Sequence, residues 1–165
     1  MLATTIDQTA ALFHADPAKA RTRPTVSATL ANGRARLSAG PFNWDADLPA
    51  VIGGENLAPS PTAYLLGALA GCAVAFLRDT LAPQFGVEVD DVSAVASAGS
   101  DLRGLLALDG AAPDLVDLAL DIRVTTASAP DRVDAMLDAW RARCPIYLAL
   151  LQPNAIELTT SVASA

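Results

Sequence analysis

The chain has 165 residues, 52% of them hydrophobic, and a formal net charge of -7. This length implies one domain, residues 1–165, burying roughly two thirds of its unfolded surface, and the apolar content excludes disordered and fibrous classes. The acidic balance argues against nonspecific binding to nucleic acid or to an anionic membrane face, so neither is an expected partner.

Ile6 to Arg21 reads as a short helix in which Ile6, Ala10, Leu12 and Phe13 cluster and Asp16-Pro17 interrupts. The start of the chain lacks the basic residues and continuous apolar core of a secretory leader. The expectation is therefore a cytoplasmic protein, in which two cysteines are free, catalytic or redox-active rather than a structural disulfide.

Thr25 to Leu30 alternates as a strand does, Asn32-Gly33 is a strong hairpin signal, and Arg34 to Ser38 returns as a second strand. Phe42 to Ala46 is a third short strand, and Leu48 to Pro59 a glycine- and proline-marked loop. Ser60-Pro61 then opens the central element, a helix running to about Ala82-Pro83. Pro61 to Leu77 carries no charge over 17 residues and is apolar on every side, so a helix buried all round is expected. It is shorter than the ~20 residues a membrane span needs.

Val87 to Ala98 reads as a strand with a bulge at Asp90-Asp91, and Leu105 to Leu108 as a short strand or a surface excursion. Leu115 to Thr126 alternates apolar and charged residues as a half-buried strand. Pro130 to Arg143 is an amphipathic helix with Val133, Met136, Leu137 and Trp140 on one stripe. Cys144-Pro145 breaks it, Pro145 opens a second short helix through Leu151, and Ala155 to Val162 reads as a final strand. Runs of strands followed by long helices make the fold class α+β. No metal-ligand cluster or phosphate-cradling loop is present in the sequence, so no metal or cofactor is expected.

The chemistry candidates are the two thiols. Cys72 sits in the middle of the central helix, where a thiol is either a small buried hydrophobe or a nucleophile; mid-helix burial raises its pKa unless a cation is near. Cys144 lies at the break between two helices, where free N–H groups and the positive helix end favour thiolate. Together they fit an attacking and a resolving thiol, brought into contact by the fold. Glu55, in the glycine-rich loop before the helix, is the carboxylate best placed to reach such a site.

Gly53-Gly54-Glu55, Pro59-Ser60-Pro61, Leu65 to Cys72 and Cys144-Pro145-Ile146-Tyr147 together resemble the motifs of the OsmC/Ohr family, as do the Asn32-Gly33-Arg34 hairpin and Asp101 to Gly104. The resemblance covers Thr25 to Val162 and implies that residues 1–23 are a variable N-terminal helical extension. It implies an intertwined homodimer of antiparallel strands around a long buried helix, with two sites at the subunit interface. Each site would reduce organic hydroperoxides or hydrogen peroxide through an attacking Cys72 and a resolving Cys144, without metal or cofactor, and an external dithiol would reset it. The peroxidase branches carry a glutamate where this chain has Thr62 or Ala63, and an activating arginine in the first hairpin, where the nearest guanidiniums are Arg34 and Arg36. Glu55 and one of these arginines are the candidate replacements. Two functions follow: a thiol peroxidase for small hydrophobic hydroperoxides, or a non-catalytic domain that binds a hydrophobic small molecule or senses redox state.

Overall fold

The computed structural model describes residues 2–152 and 154–164, with side chains from residue 5 onward. Helix α1 spans Leu2–Ala15, and a 3-10 turn follows at Pro17–Ala20, where Asp16 Oδ1 accepts from the Ala18 N–H at 3.2 Å. Strands β1 (Ser27–Ala31), β2 (Arg34–Ala39) and β3 (Phe42–Ala46) form an antiparallel sheet. The β1–β2 turn places both Asn32 and Gly33 at positive φ, the backbone that matches the strand twist.

Ser60 caps α2 (Pro61–Phe76), its hydroxyl accepting from the Ala63 N–H. A π-helical turn at Leu77–Leu81 and α3 (Ala82–Phe85) continue the same rod to Gly86. Pro83 offers no N–H and crowds the carbonyl four residues back; the widened turn directly before it relieves that clash. Strand β4 (Asp91–Gly99) pairs antiparallel with β5 (Val116–Thr125) around the short helix α4 (Leu102–Leu105). Helices α5 (Pro130–Arg143) and α6 (Pro145–Leu151) meet at Cys144.

The core lies where α2 and its continuation pack on α5: Ala73, Leu77, Leu81 and Ala82 meet Met136, Ala139, Trp140 and Cys144. Leu77, Leu81, Met136 and Cys144 have no exposed surface.

Three expectations are corrected and one open alternative is decided. The register shift in β4 falls at Ser97/Gly99 rather than Asp90-Asp91, where the bare glycine lets Val116 approach. Of the two readings of residues 105–108 the surface excursion holds: they are exposed, form no strand and run on from the last residue of the short α4, which Asp101 caps. Ala155 to Val162 forms no strand, with Ile156 88% and Val162 100% exposed, because a strand needs a ladder partner and none is offered among the described residues. Helix α2 is not buried all round: Gly67, Ala68, Gly71 and Ala75 are exposed along one side. The rod Pro61–Phe85 is long and apolar enough by composition to cross a membrane, yet its opposite side supplies the core.

The protomer exposes 11938 Å². A free-standing chain of 16.9 kDa exposes about 7,700 Å² by the usual mass scaling.

Truncating Leu77 to alanine removes the central contact of the core. The expected loss is about 3 kcal/mol of unfolding free energy, read from urea denaturation. A loss below about 1 kcal/mol would show that the α2–α5 contact does not hold the core.

Candidate functional site

Two rigid elements deliver the two sulfurs. Cys72 precedes Ala73, whose side of α2 is sealed in the core, so the thiol stands at the core's rim, half-buried. Cys144 is fully buried at the α5–α6 break, where Pro145 forces the chain out of the first helix while the Cys144 N–H still closes it onto the Trp140 carbonyl at 2.8 Å. The Cys72 and Cys144 sulfurs lie 3.0 Å apart as free thiols, one donating to the other. The fold thus joins two residues 72 positions apart, with about 1 Å of further approach needed for a disulfide bond.

The electrostatics leave Cys72 a weak nucleophile within one protomer. Desolvation first, then the hydrogen bond and charge of the neighbouring Cys144, push its pKa up from 9.0 to about 11. The opposing influence is the Ile146 backbone N–H, which donates to the Cys72 sulfur. The start of α6 was expected to serve Cys144, but Cys144 makes no side-chain cap there; the amide of the Cys-Pro-x turn acts on the other thiol.

The remaining expected site residues lie elsewhere in the protomer, and no guanidinium among the described residues acts on Cys72. Arg36 is committed to Asp45, Nη1 to Oδ1 at 2.9 Å, and is 48% exposed. Arg34 is 24% exposed, its Nε buried without a hydrogen bond and 3.9 Å from Asp45 Oδ2. It lines an open cleft of about 460 Å³ with Asp47, Leu48, Gly53, Gly54 and Pro61. Glu55 is exposed; its backbone N–H, not its carboxylate, is tied into this region. Thr62 and Ala63 are exposed on the first turn of α2.

The residue that the sequence reading passed over is Asp47. It is 8% exposed, the buried charged side chain of the described core. Oδ1 accepts from the Leu48 N–H at 2.8 Å, and Oδ2 from the N–H groups of Glu55 and Leu57 at 3.2 and 3.0 Å. Those bonds, led by the one from Leu57, hold its pKa below the ordinary carboxylate value against the opposing effect of burial, with Arg34 adding a smaller pull. The available signal was an aspartate at a strand end followed by a Gly-Gly loop with donors to satisfy. A second groove, of about 450 Å³ with apolar walls, runs between the first sheet and α2, where Trp44 and Tyr64 rings pair with centroids 6.5 Å apart; it reaches Ala68, one helical turn before Cys72.

An α+β protomer that pairs a thiol of its long apolar helix with one at a helix–helix corner defines a class of cysteine-pair proteins. The family model for OsmC-like protein matches residues 53–160, and the chain belongs to that family. No curated protein matches it in sequence. Among solved structures, an OsmC-like protein from Mycoplasma pneumoniae is similar with a TM-score of 0.65 at 17% identity, covering 79% of this chain and 88% of that one. An organic hydroperoxide resistance protein OsmC from Legionella pneumophila gives 0.58 at 19% identity, covering 78% and 89%. An organic hydroperoxide resistance protein from Elizabethkingia anophelis gives 0.57 at 14%, covering 78% and 88%. At these identities the likeness is one of fold.

Mild oxidation with diamide is expected to convert the chain to one intramolecular disulfide, seen as the loss of two hydrogens by mass spectrometry. Cys144→Ser should abolish it. An intermolecular product from the unmodified chain would contradict the 3.0 Å contact.

Proposed function

We propose that this chain is a thiol-dependent peroxidase acting on small hydrophobic hydroperoxides, on the single observation that Cys72 and Cys144 sulfurs meet at 3.0 Å. The Cys72 thiolate attacks one peroxide oxygen, the O–O bond breaks, and the departing alkoxide takes a proton to leave as alcohol. Cys72 is then a sulfenic acid. Cys144 sulfur attacks it, water leaves, and a Cys72–Cys144 disulfide remains. An external dithiol reduces that disulfide by two exchange steps. The apolar groove ending at Ala68 supports a greasy substrate. The location proposed is the cytoplasm.

The working form is proposed to be an intertwined homodimer. Three features support it: about 4,000 Å² of surface beyond the expected value, an exposed small-residue side on α2, and an unpaired tail with Ile156 and Leu158 exposed. A standard interface buries about 800 Å² per partner, so the excess fits an interwoven one. In that form a partner's guanidinium would supply the activation that a single protomer lacks. Arg34 is the better candidate, since Arg36 is already spent on Asp45. Glu55 would stand at the rim of the Arg34 cleft as the remaining site carboxylate.

The raised Cys72 pKa favours a second reading, a binding domain for a hydrophobic small molecule with a redox-sensitive thiol pair. Thiol titration after one equivalent of cumene hydroperoxide separates the two. The enzyme loses both thiols rapidly, and Cys72→Ser does not; loss over hours would end the peroxidase reading. The alkylation profile of Cys72 tests the activation. Its midpoint should lie well below 11 in the intact protein and return toward about 11 in Arg34→Met, while Arg36→Met leaves it in place. Since the raised pKa favours the neutral thiol, reactivity must climb with pH in every case.

A further inference from the structure

We infer that Asp47 is the positioning residue of this site, holding the Gly53-Gly54-Glu55 loop and Arg34 around one cleft. The inference rests on the peroxidase reading in which Arg34 activates Cys72, and it deepens that reading by naming what sets the arginine.

Asp47 follows β3 directly, and the β2–β3 register pairs Ala35 with Ala46, so Arg34 and Asp47 are the next opposed positions. Both line the same cleft. From there the Asp47 carboxylate gathers the backbone N–H groups of Leu48, Glu55 and Leu57, closing residues 48–57 into a compact loop. The loop's own bonds are short-range: Ile52 and Gly54 N–H to the Pro49 carbonyl, Gly53 N–H to the Ala50 carbonyl and Asn56 N–H to the Leu48 carbonyl. The closure is tight. A Cβ on Gly54 would stand 1.9 Å from the Leu48 carbonyl oxygen, so only glycine passes there. Two anionic groups, Asp45 and Asp47, thus flank a guanidinium that hydrogen-bonds through Nε to neither. The guanidinium is held by field and by packing rather than by a bidentate lock. Release of the loop would remove Leu48, Gly53 and Gly54 from one side of the cleft and leave the Arg34 side chain free to swing to solvent.

The test compares the full-length protein with Asp47→Asn, Asp47→Ser, Arg34→Met and the double variant Asp47→Asn/Arg34→Met. Two readouts are taken: amide hydrogen exchange over residues 48–57, and the pH profile of Cys72 alkylation. Either Asp47 variant is expected to speed exchange at Leu48, Glu55 and Leu57 by at least about tenfold, circular dichroism being unchanged. It should also raise the alkylation midpoint by about one pH unit, a tenfold loss of thiolate at neutral pH. The double variant should add little to Arg34→Met, because both changes act through the same guanidinium. If an Asp47 variant loosens the loop while the midpoint stays put and Arg34→Met still moves it, Asp47 is merely structural and the inference fails alone. If Arg34→Met also leaves the midpoint unmoved, the activation reading fails with it. Asp47→Ser retains one acceptor and serves where Asp47→Asn does not fold.

Discussion

The contact between α2 and the corner where α5 turns into α6 is the constraint on which the rest depends. Ala73, Leu77 and Leu81 recur every four residues on one side of the helix and are sealed against Met136 and Trp140. Small size at Ala73 matters as much as apolarity, because a larger side chain would push α6 away from the helix. The sulfur pair is a by-product of that packing. Cys72 is the residue before Ala73, and Cys144 is the residue at the corner, so closing the core closes the 3.0 Å gap. A rigid corner also explains why one backbone amide, that of Ile146, can be aimed at Cys72: Pro145 starts the turn with a fixed φ and leaves the next N–H to point outward.

The same packing isolates the thiol from charge. A rise from 9.0 to about 11 lowers the thiolate fraction at neutral pH about a hundredfold, and one peptide N–H does not restore it. The incompleteness is not confined to the thiol. The apolar side of α2 bearing Gly67 and Gly71, the unpaired tail from Ala155 to Val162, and the small sheet carrying Arg34 all end at open surface. A second copy answers all three at once, whereas a monomer needs a separate account of each. That economy is the physical weight behind the proposed homodimer.

Most of the architecture was legible because local signals and tertiary needs agree. Phe42–Ala46, Pro130–Arg143 and Pro145–Leu151 begin and end where turn residues, caps and prolines place them. The losses occurred where the decisive partner is not local. Ala155 to Val162 alternates like a strand, but a strand is defined by its neighbour. Leu102–Leu105 is the exception, decided locally: Asp101 caps this short helix through the Arg103 N–H two residues on. The thiol pair was readable as a pair; its partners were not. Glu55 was noticed as a charged residue in a glycine loop, yet its backbone rather than its carboxylate is engaged. Asp47 went unnoticed because a buried carboxylate whose partners are all main-chain N–H groups leaves no complementary charge in the sequence.

The absent glutamate at Thr62 and Ala63 bears on how this chain can still hold an arginine. A carboxylate on the first turn of α2 would sit at the positive end of a long helix. Here that turn is uncharged. The carboxylates nearest Arg34 are Asp45 and Asp47, both on the β3 side of the cleft. Asp45 also neutralises Arg36, so its pull on Arg34 is shared, and its Nε contact stays at 3.9 Å. Asp47 accepts from three loop amides, one at Oδ1 and two at Oδ2, and Arg34 acts on it through charge. Arg34 therefore keeps most of its N–H donors uncommitted while being fixed at its base, the state required of a cation that must bind an incoming anion or thiolate. Under the proposed peroxidase reading, carboxylates carried by β3 and the residue after it, rather than by α2, leave the far end of the arginine free for a thiolate.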